Sequence, residues 1–128
     1  MSSLYEYAVL RVVPRVERGE FINAGVVLYC PAKRFLQARI HLDGERLRAL
    51  DPALDADQAL AHLESARQVC EGGKAAGSLG SLPARERFGR VVAPRSTVVQ
   101  PSPVHTGFCE DPEHELGRLL RRMVCPPR

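Results

Sequence analysis

The fold is decided by residues 5–30, which read YEYAVLRVVPRVERGEFINAGVVLYC. Tyr5–Pro14 is rich in aromatic and β-branched residues and ends at a proline, and Glu20–Cys30 has the same character. Segments of this composition favour β-strands. The polar residues Arg15–Gly19 between them are typical of a turn. The stretch therefore predicts two antiparallel strands joined as a hairpin.

The predicted hairpin has two different faces, because side chains alternate along each strand. With the turn at Arg15–Gly19, one face carries only apolar cross-strand pairs and suits packing against helices. Those pairs are Val12–Ile22, Leu10–Ala24 and Ala8–Val26. The opposite face, called the mixed face below, carries the pairs Val13–Phe21, Arg11–Asn23, Val9–Gly25, Tyr7–Val27 and Tyr5–Tyr29.

The mixed face holds the candidate binding residues. Arg11 lies beside Asn23, next to Gly25, whose missing side chain leaves room for a ligand or for another backbone. A guanidinium fits oxyanions, so one interpretation is a contact with an anion or a peptide carboxylate. The alternative is structural: Arg11 pairs with Glu17 or Glu20, and Asn23 bonds to the arginine. With the adjoining turn, the candidate set is Arg11, Arg15, Arg18, Glu20, Asn23 and Gly25.

Further strands are predicted over Arg34–Leu42 and Arg95–Gln100. The short connections between the first three strands favour an antiparallel meander. After Gly44 the apolar spacing becomes helical, and Leu47 and Leu50 indicate a short helix that ends at Asp51.

Two longer helices are predicted from their caps and apolar stripes. Asp55 is suited to cap a helix that ends at Gly72, with the stripe Ala59, Leu60, Leu63, Ala66, Val69 and Cys70. Asp111 and Pro112 are suited to begin the last helix, with the stripe Leu116, Leu119, Leu120 and Met123. Between these helices, the glycine-rich residues 73–83 are expected to form a mobile loop.

These elements predict one α+β domain over residues 1–128. We expect a small antiparallel sheet of three or four strands, including the N-terminal hairpin, packed against two or three helices. The length suits a single hydrophobic core.

Motifs for chemistry are not recognisable in the chain. The four cysteines have no C-x-x-C spacing, so we expect them to be reduced and structural. His105, Cys109 and His114 do not match the spacing of a metal site. The serines lack a nucleophile motif. We therefore assign no catalytic residue, no metal site and no cofactor, and the pattern favours a protein that is not an enzyme.

Charge gives limited information about partners. The formal net charge is +3, and the longest basic stretch contains Lys74, Arg85, Arg87, Arg90 and Arg95 with one aromatic residue among them. Nucleic-acid binding calls for a denser basic stripe or several stacking aromatics. No apolar run is long enough to cross a bilayer and the start has no signal-like pattern, so we expect a cytoplasmic protein without a membrane partner.

A resemblance to a known family adds one expectation. The segment YEYAVLRVVPRVERGEFINAGVVLY, the later QPSPVHTGFCEDP and the last helix resemble the bacterial Domain of Unknown Function 3037. The most specific pattern is R-x-x-P-x-x-x-x-G-E-F-x-N-x-G-V-x-L, which begins at Arg11. The resemblance implies no activity, but members of this family are often encoded beside kinases similar to the toxin HipA.

Two functions follow as hypotheses. The first is a non-enzymatic interaction module, an accessory or neutralising partner of a HipA-like kinase, that uses the mixed face and the turn. The second is a small nucleic-acid or nucleotide-binding protein that uses Arg11 and the stretch Arg85–Arg95. An enzyme acting on a phosphorylated or carboxylated small molecule has the least support.

Overall fold

A computed structural model describes residues 1–127, which form five β-strands and four α-helices. The strands are β1 (Ser3–Val12), β2 (Ile22–Cys30), β3 (Phe35–Ile40), β4 (Val99–Pro101) and β5 (His105–Cys109). The helices are α1 (Gly44–Leu50), α2 (Ala56–Glu71), α3 (Ala84–Val91) and α4 (Pro112–Met123). The predicted α+β class and the N-terminal hairpin are confirmed.

β1 and β2 form the predicted hairpin, but a β-bulge at Ala24 changes its register. The pairs at the turn end of the strands are as predicted, Val12–Ile22 and Arg11–Asn23. Beyond the bulge the pairs are Leu10–Gly25, Val9–Val26, Ala8–Val27, Tyr7–Leu28 and Glu6–Tyr29. The predicted pairs beyond Arg11–Asn23 are therefore wrong by one residue, and Val13–Phe21 lies outside both strands. An extra residue reverses the face on which the following β2 side chains lie.

β1 is central in an antiparallel sheet of order β3–β2–β1–β4, and β5 also pairs with β1. β5 lies along the first half of β1 and β4 along the second half. Ser102 fills the interval, because its amide donates to the Val9 carbonyl (2.7 Å) and its hydroxyl accepts from the Val9 amide (2.8 Å). The predicted strand Arg95–Gln100 is thus shorter and later than expected, and β5 was not predicted.

One face of the sheet packs against α1, α2 and α3. The cluster contains Leu10 and Val12 from β1 together with Leu47, Leu63 and Phe88 from the three helices. α1 and α2 occupy the predicted positions, and the Asp55 carboxylate accepts from the amides of Asp57 and Gln58 as a cap. This face is the principal core.

The opposite face, which corresponds to the mixed face, is covered by α4. Val9, Val26 and Leu28 from the sheet pack against Leu116 and Leu119 of the helix. The expectation that the apolar face of the hairpin is the one that packs against helices is therefore incomplete, because the mixed face also packs against a helix. The bulge is the reason, because it brings Val26 and Leu28 onto this face and makes it apolar enough to bind a helix.

The segment after α2 contains more regular structure than the sequence indicated. Lys74–Ser81 forms 3-10 turns with a kink at Gly77, and α3 follows directly. α3 was not predicted, because only Phe88 and Val91 of its side chains are buried and the rest are mostly charged. The mobility of residues 73–83 stays a prediction.

Within residues 1–127, none of the helices combines the length with the apolarity that crossing a lipid bilayer requires.

Candidate functional site

Asn23 has a structural role that the sequence did not indicate. Its side-chain amide donates to the carbonyl of Met123 at 2.9 Å and so ties β2 to the last residue of α4. Helix carbonyls at this end lack partners within the helix, so the contact satisfies one of them. The side-chain oxygen of Asn23 is buried and has no hydrogen-bond partner among the described residues.

Arg11 lies opposite Asn23 and is stacked on an aromatic ring. Its guanidinium carbon lies 4.2 Å from the centre of the Phe21 ring, which is the geometry of a cation–π contact. No carboxylate in residues 1–127 forms an ion pair with Arg11. Glu20, one of the two expected partners, pairs instead with Arg18 at 2.6 Å. The structural alternative, in which Glu17 or Glu20 neutralises Arg11, does not match this geometry. The Nε atom of Arg11 is buried and also has no partner in the described chain.

The turn residues divide between two environments. Arg15 contacts the carboxylate of Asp51 at 3.4 Å, across the start of the connection between α1 and α2. Arg18 and Glu20 form an exposed pair at the tip, and the hydrogen bond from Arg18 lowers the pKa of Glu20. Such exposed pairs contribute little to stability.

Two apolar side chains are exposed beside these charges. Val16 is 45% exposed and Phe21 is 42% exposed. Together with Arg11, residues 15–21 form what we call the turn surface. It combines an unneutralised cation, an exposed aromatic ring and an exposed aliphatic side chain at one end of the hairpin.

Gly25 is a packing position for a neighbouring strand. A Cβ atom there would lie 2.8 Å from Cδ1 of Ile40 and 2.9 Å from the carbonyl oxygen of Arg39. β3 therefore takes the space that the missing side chain leaves, which is the second of the two uses predicted for this glycine. The candidate set thus separates into the turn surface and two positions, Asn23 and Gly25, that hold the fold.

The basic stretch that supported nucleic-acid binding is not a continuous surface. Arg85 pairs with Glu6 at 2.9 Å and stacks on the Tyr29 ring. The side chain of Arg87 is tied to backbone by bonds to the carbonyls of Leu82, Val69 and Cys70. These two arginines stabilise the packing of α3 and cannot follow a phosphate chain without losing those contacts.

Sequence reasoning missed a cavity on the principal-core side of the sheet. Its volume is about 720 Å³, and its walls come from α2, α3, β1 and residues 95–99. Walls contributed by segments so far apart leave no local pattern in a sequence. Arg90 and Arg95, the remaining members of the basic stretch, lie at this cavity.

A second polar cluster joins β1 to α4. The Tyr5 hydroxyl donates to Glu115, and Arg118 holds the same carboxylate with two bonds of 2.8 Å. The bonds from Arg118 lower the pKa of Glu115 to about 2, while burial and the neighbouring carboxylate raise the pKa of Tyr5. Each group is satisfied by the others, so the cluster is an ion-pair contact within the fold.

The cysteines are free thiols in the structure, and three of them are buried. Burial raises the pKa of Cys70 to about 12 and that of Cys109 to about 11. Thiols of this kind are poor nucleophiles at neutral pH. Across residues 1–127, no three histidine, cysteine or acidic side chains are placed close enough to hold a metal ion.

Comparison with known proteins gives one match. The family model described as "Protein of unknown function (DUF3037)" covers residues 7–124, nearly the whole chain. No curated protein and no solved structure matches the chain. The match includes residues 7–12 of β1, the whole of β2, the turn surface and α4.

Proposed function

The chain belongs to the DUF3037 family, a family of unknown function, and from this premise we propose that it is a non-enzymatic interaction module. In this proposal the turn surface binds a carboxylate on a protein partner. The observation that carries the proposal is the state of Arg11, which is stacked on Phe21 and has no acidic partner among residues 1–127.

The stacking and partial burial of Arg11 favour binding of a carboxylate in two ways. The ring restricts the guanidinium, so less side-chain entropy is lost when a partner binds. Partial burial and the low exposure to water around Nε strengthen an ion pair formed there relative to a fully solvated pair. A carboxylate that approached Arg11 would also accept hydrogen bonds from its guanidinium, which has no acidic partner among residues 1–127.

The Phe21 ring extends this contact, and Val16 is the second exposed apolar side chain of the turn surface. Phe21 and Val16 are exposed in the free protein, and aromatic residues with arginine are enriched where protein interfaces concentrate their binding energy. None of the three side chains Arg11, Val16 and Phe21 serves as a nucleophile or proton donor near neutral pH. These three side chains therefore suit recognition better than catalysis.

The first partner to test is a HipA-like kinase, because members of the family that the sequence resembles are often encoded beside one. We expect the purified kinase to bind this chain, and Arg11→Ala to weaken the affinity by about tenfold or more, as for a central interface residue. Arg11→Lys should recover only part of the affinity, because lysine keeps the charge but loses the fork and the stacking. Isothermal titration calorimetry measures all three.

The matched control is Arg48→Ala, an exposed arginine on α1 that is remote in sequence from the turn surface. It should bind like the unmodified chain. Absence of a complex at micromolar concentrations, or equal losses for Arg11→Ala and Arg48→Ala, would contradict the proposal.

The alternative, a small nucleic-acid or nucleotide-binding protein, has less support because Arg85 and Arg87 are engaged within the fold. It makes a distinct prediction. A mobility shift with single-stranded DNA at low salt, lost as salt rises and weakened by Arg11→Ala, would favour the alternative over the interaction module.

A further inference from the structure

The cavity beside α2 has the dimensions of a small-molecule site. It holds about 720 Å³, within the range of roughly 300 to 1,000 Å³ that is usual for ligand pockets. It lies on the sheet face opposite α4 and is separate from Arg11, although Val16 borders it at one end. A site here goes beyond the proposed function, which depends on the turn surface.

The floor of the cavity is apolar. Leu10, Ala59 and Val91 belong to the buried core, and Ala66, Val69 and Val98 are partly exposed where the cavity opens. Exposed apolar area of this kind favours an occupant that removes it from water, at about 25 cal/mol per Å². The floor therefore fits an aliphatic or aromatic body.

The rim is cationic and is not neutralised by the residues described. Arg90 and Arg95 lie at the cavity, and neither forms an ion pair within residues 1–127. Arg95 is held in place by bonds to the carbonyls of Arg90 at 2.6 Å and Ala93 at 3.4 Å. The one acidic residue of the lining, Asp55, has a carboxylate that already accepts from two amides of α2.

From the apolar floor and the two unneutralised arginines, we infer that the cavity binds a small amphipathic anion. The ligand class is a carboxylate or phosphate attached to an apolar body. The acidic group lies between Arg90 and Arg95, where guanidinium donors match its oxygens, and the body covers the floor between α2 and residues 95–99.

Two anionic probes and one neutral probe test this inference. Octanoate and octyl phosphate, used below their micelle concentrations, should each bind saturably with a dissociation constant of about 0.1 to 1 mM. 1-Octanol should bind at least about tenfold more weakly, because it lacks the charge that pairs with the arginines. Amide chemical shifts measured by NMR report both the affinity and the location. The relative affinity of the two anions shows whether the head group is a carboxylate or a phosphate.

Two variants remove the two halves of the site. Arg90→Gln should weaken octanoate at least about fivefold, since a charge-assisted contact is lost. Ala66→Phe should abolish binding, because the larger ring occupies the floor. Their matched controls are Arg48→Gln, which lies outside the lining, and Ala61→Phe, an exposed position on α2 that does not line the cavity.

The inference is overturned if neither anion binds at millimolar concentration, or if 1-octanol binds as well as octanoate. It is also overturned if the shifts lie outside α2, α3 and residues 95–99, or if Ala66→Phe and Ala61→Phe have equal effects. Val16 and Arg11 are unchanged in every variant, and Arg11 does not line the cavity, so these outcomes are distinguishable from a failure of kinase binding.

Discussion

Among single residues, a binding site differs from a structural contact in whether the polar side chains are satisfied inside the fold. Asn23 bonds to Met123, and Tyr5, Glu115 and Arg118 satisfy one another. Arg11 differs, because its guanidinium stacks on the Phe21 ring and its Nε atom has no hydrogen-bond partner within residues 1–127. That difference separates a candidate site from a structural network.

The Glu115 cluster gives a prediction for the pH dependence of stability. Its folded pKa is about 2, below the ordinary value of 4.5, so the unfolded chain binds the proton more tightly. The cluster therefore stabilises the fold above about pH 4.5, and this contribution falls as pH decreases toward 2. Glu115 is only 12% exposed in its side chain, but Arg118 is 42% exposed, so we expect about 1 to 2 kcal/mol.

Urea unfolding between pH 6 and pH 3 measures this effect. The unmodified protein should lose more stability over that range than Glu115→Gln, which has no proton to bind. Glu17→Gln, which changes an exposed carboxylate, should behave like the unmodified protein. Parallel pH profiles for Glu115→Gln and the unmodified protein would show that the carboxylate is not stabilised in the fold.

Gly25 gives a second prediction at this scale. A methyl group there would be too close to the Arg39 carbonyl, so β2 and β3 would have to separate. We expect Gly25→Ala to lower the free energy of unfolding by about 1 to 3 kcal/mol, as other overpacking changes do. The control is Gly89→Ala on α3, where nothing lies within 4 Å and a small gain is expected. Equal stability of the two variants in urea would contradict the packing role.

At the element scale, the elements with local signals were predictable and those with long-range causes were not. The alternation of side chains indicates β1 and β2. The Asp55 cap and the apolar stripe indicate α2. The bulge at Ala24 has no local signal, and it arises with apolar residues that meet α4 about 90 residues later. β5 contains glycine, histidine and threonine and pairs only because β1 provides an edge.

The candidate site was likewise predictable only where its contacts are local. The predicted hairpin placed Arg11 beside Asn23 correctly, because this pair is the second from the turn end of the strands and lies before the bulge. The bond from Asn23 to Met123 and the filling of Gly25 by β3 depend on tertiary packing. The cavity also depends on it, so no pattern in the sequence indicated it.

One prediction concerns the face of α2 that is buried in the principal core. Leu63 is fully buried in the principal core, and replacing it with alanine leaves a cavity among well-packed neighbours. Leu63→Ala should lower the free energy of unfolding by about 2 to 5 kcal/mol. The control is Leu60→Ala, since Leu60 lies on the same helix and is 40% exposed. A loss well under 1 kcal/mol for Leu63→Ala in urea would place this face of α2 outside the core.

At the scale of the whole molecule, both faces of the sheet are covered by helices. α1, α2 and α3 cover one face and α4 covers the other, while the cross-strand pair Leu4–Phe108 of β1 and β5 stays 50% and 71% exposed. The turn end of the hairpin and the open cavity are two places where apolar and cationic groups reach solvent together. Function on this scaffold is therefore expected at the turn end of the hairpin and in the cavity beside α2.

We propose that Arg11 is held for a partner rather than used by the fold, and the free energy of unfolding of Arg11→Ala distinguishes these two roles. The change removes one cation–π contact and one buried nitrogen without a partner, so urea unfolding should show a loss of no more than about 1 kcal/mol. A loss of about 3 to 5 kcal/mol would contradict the claim, because it is the cost of stranding the partner of a buried ion pair.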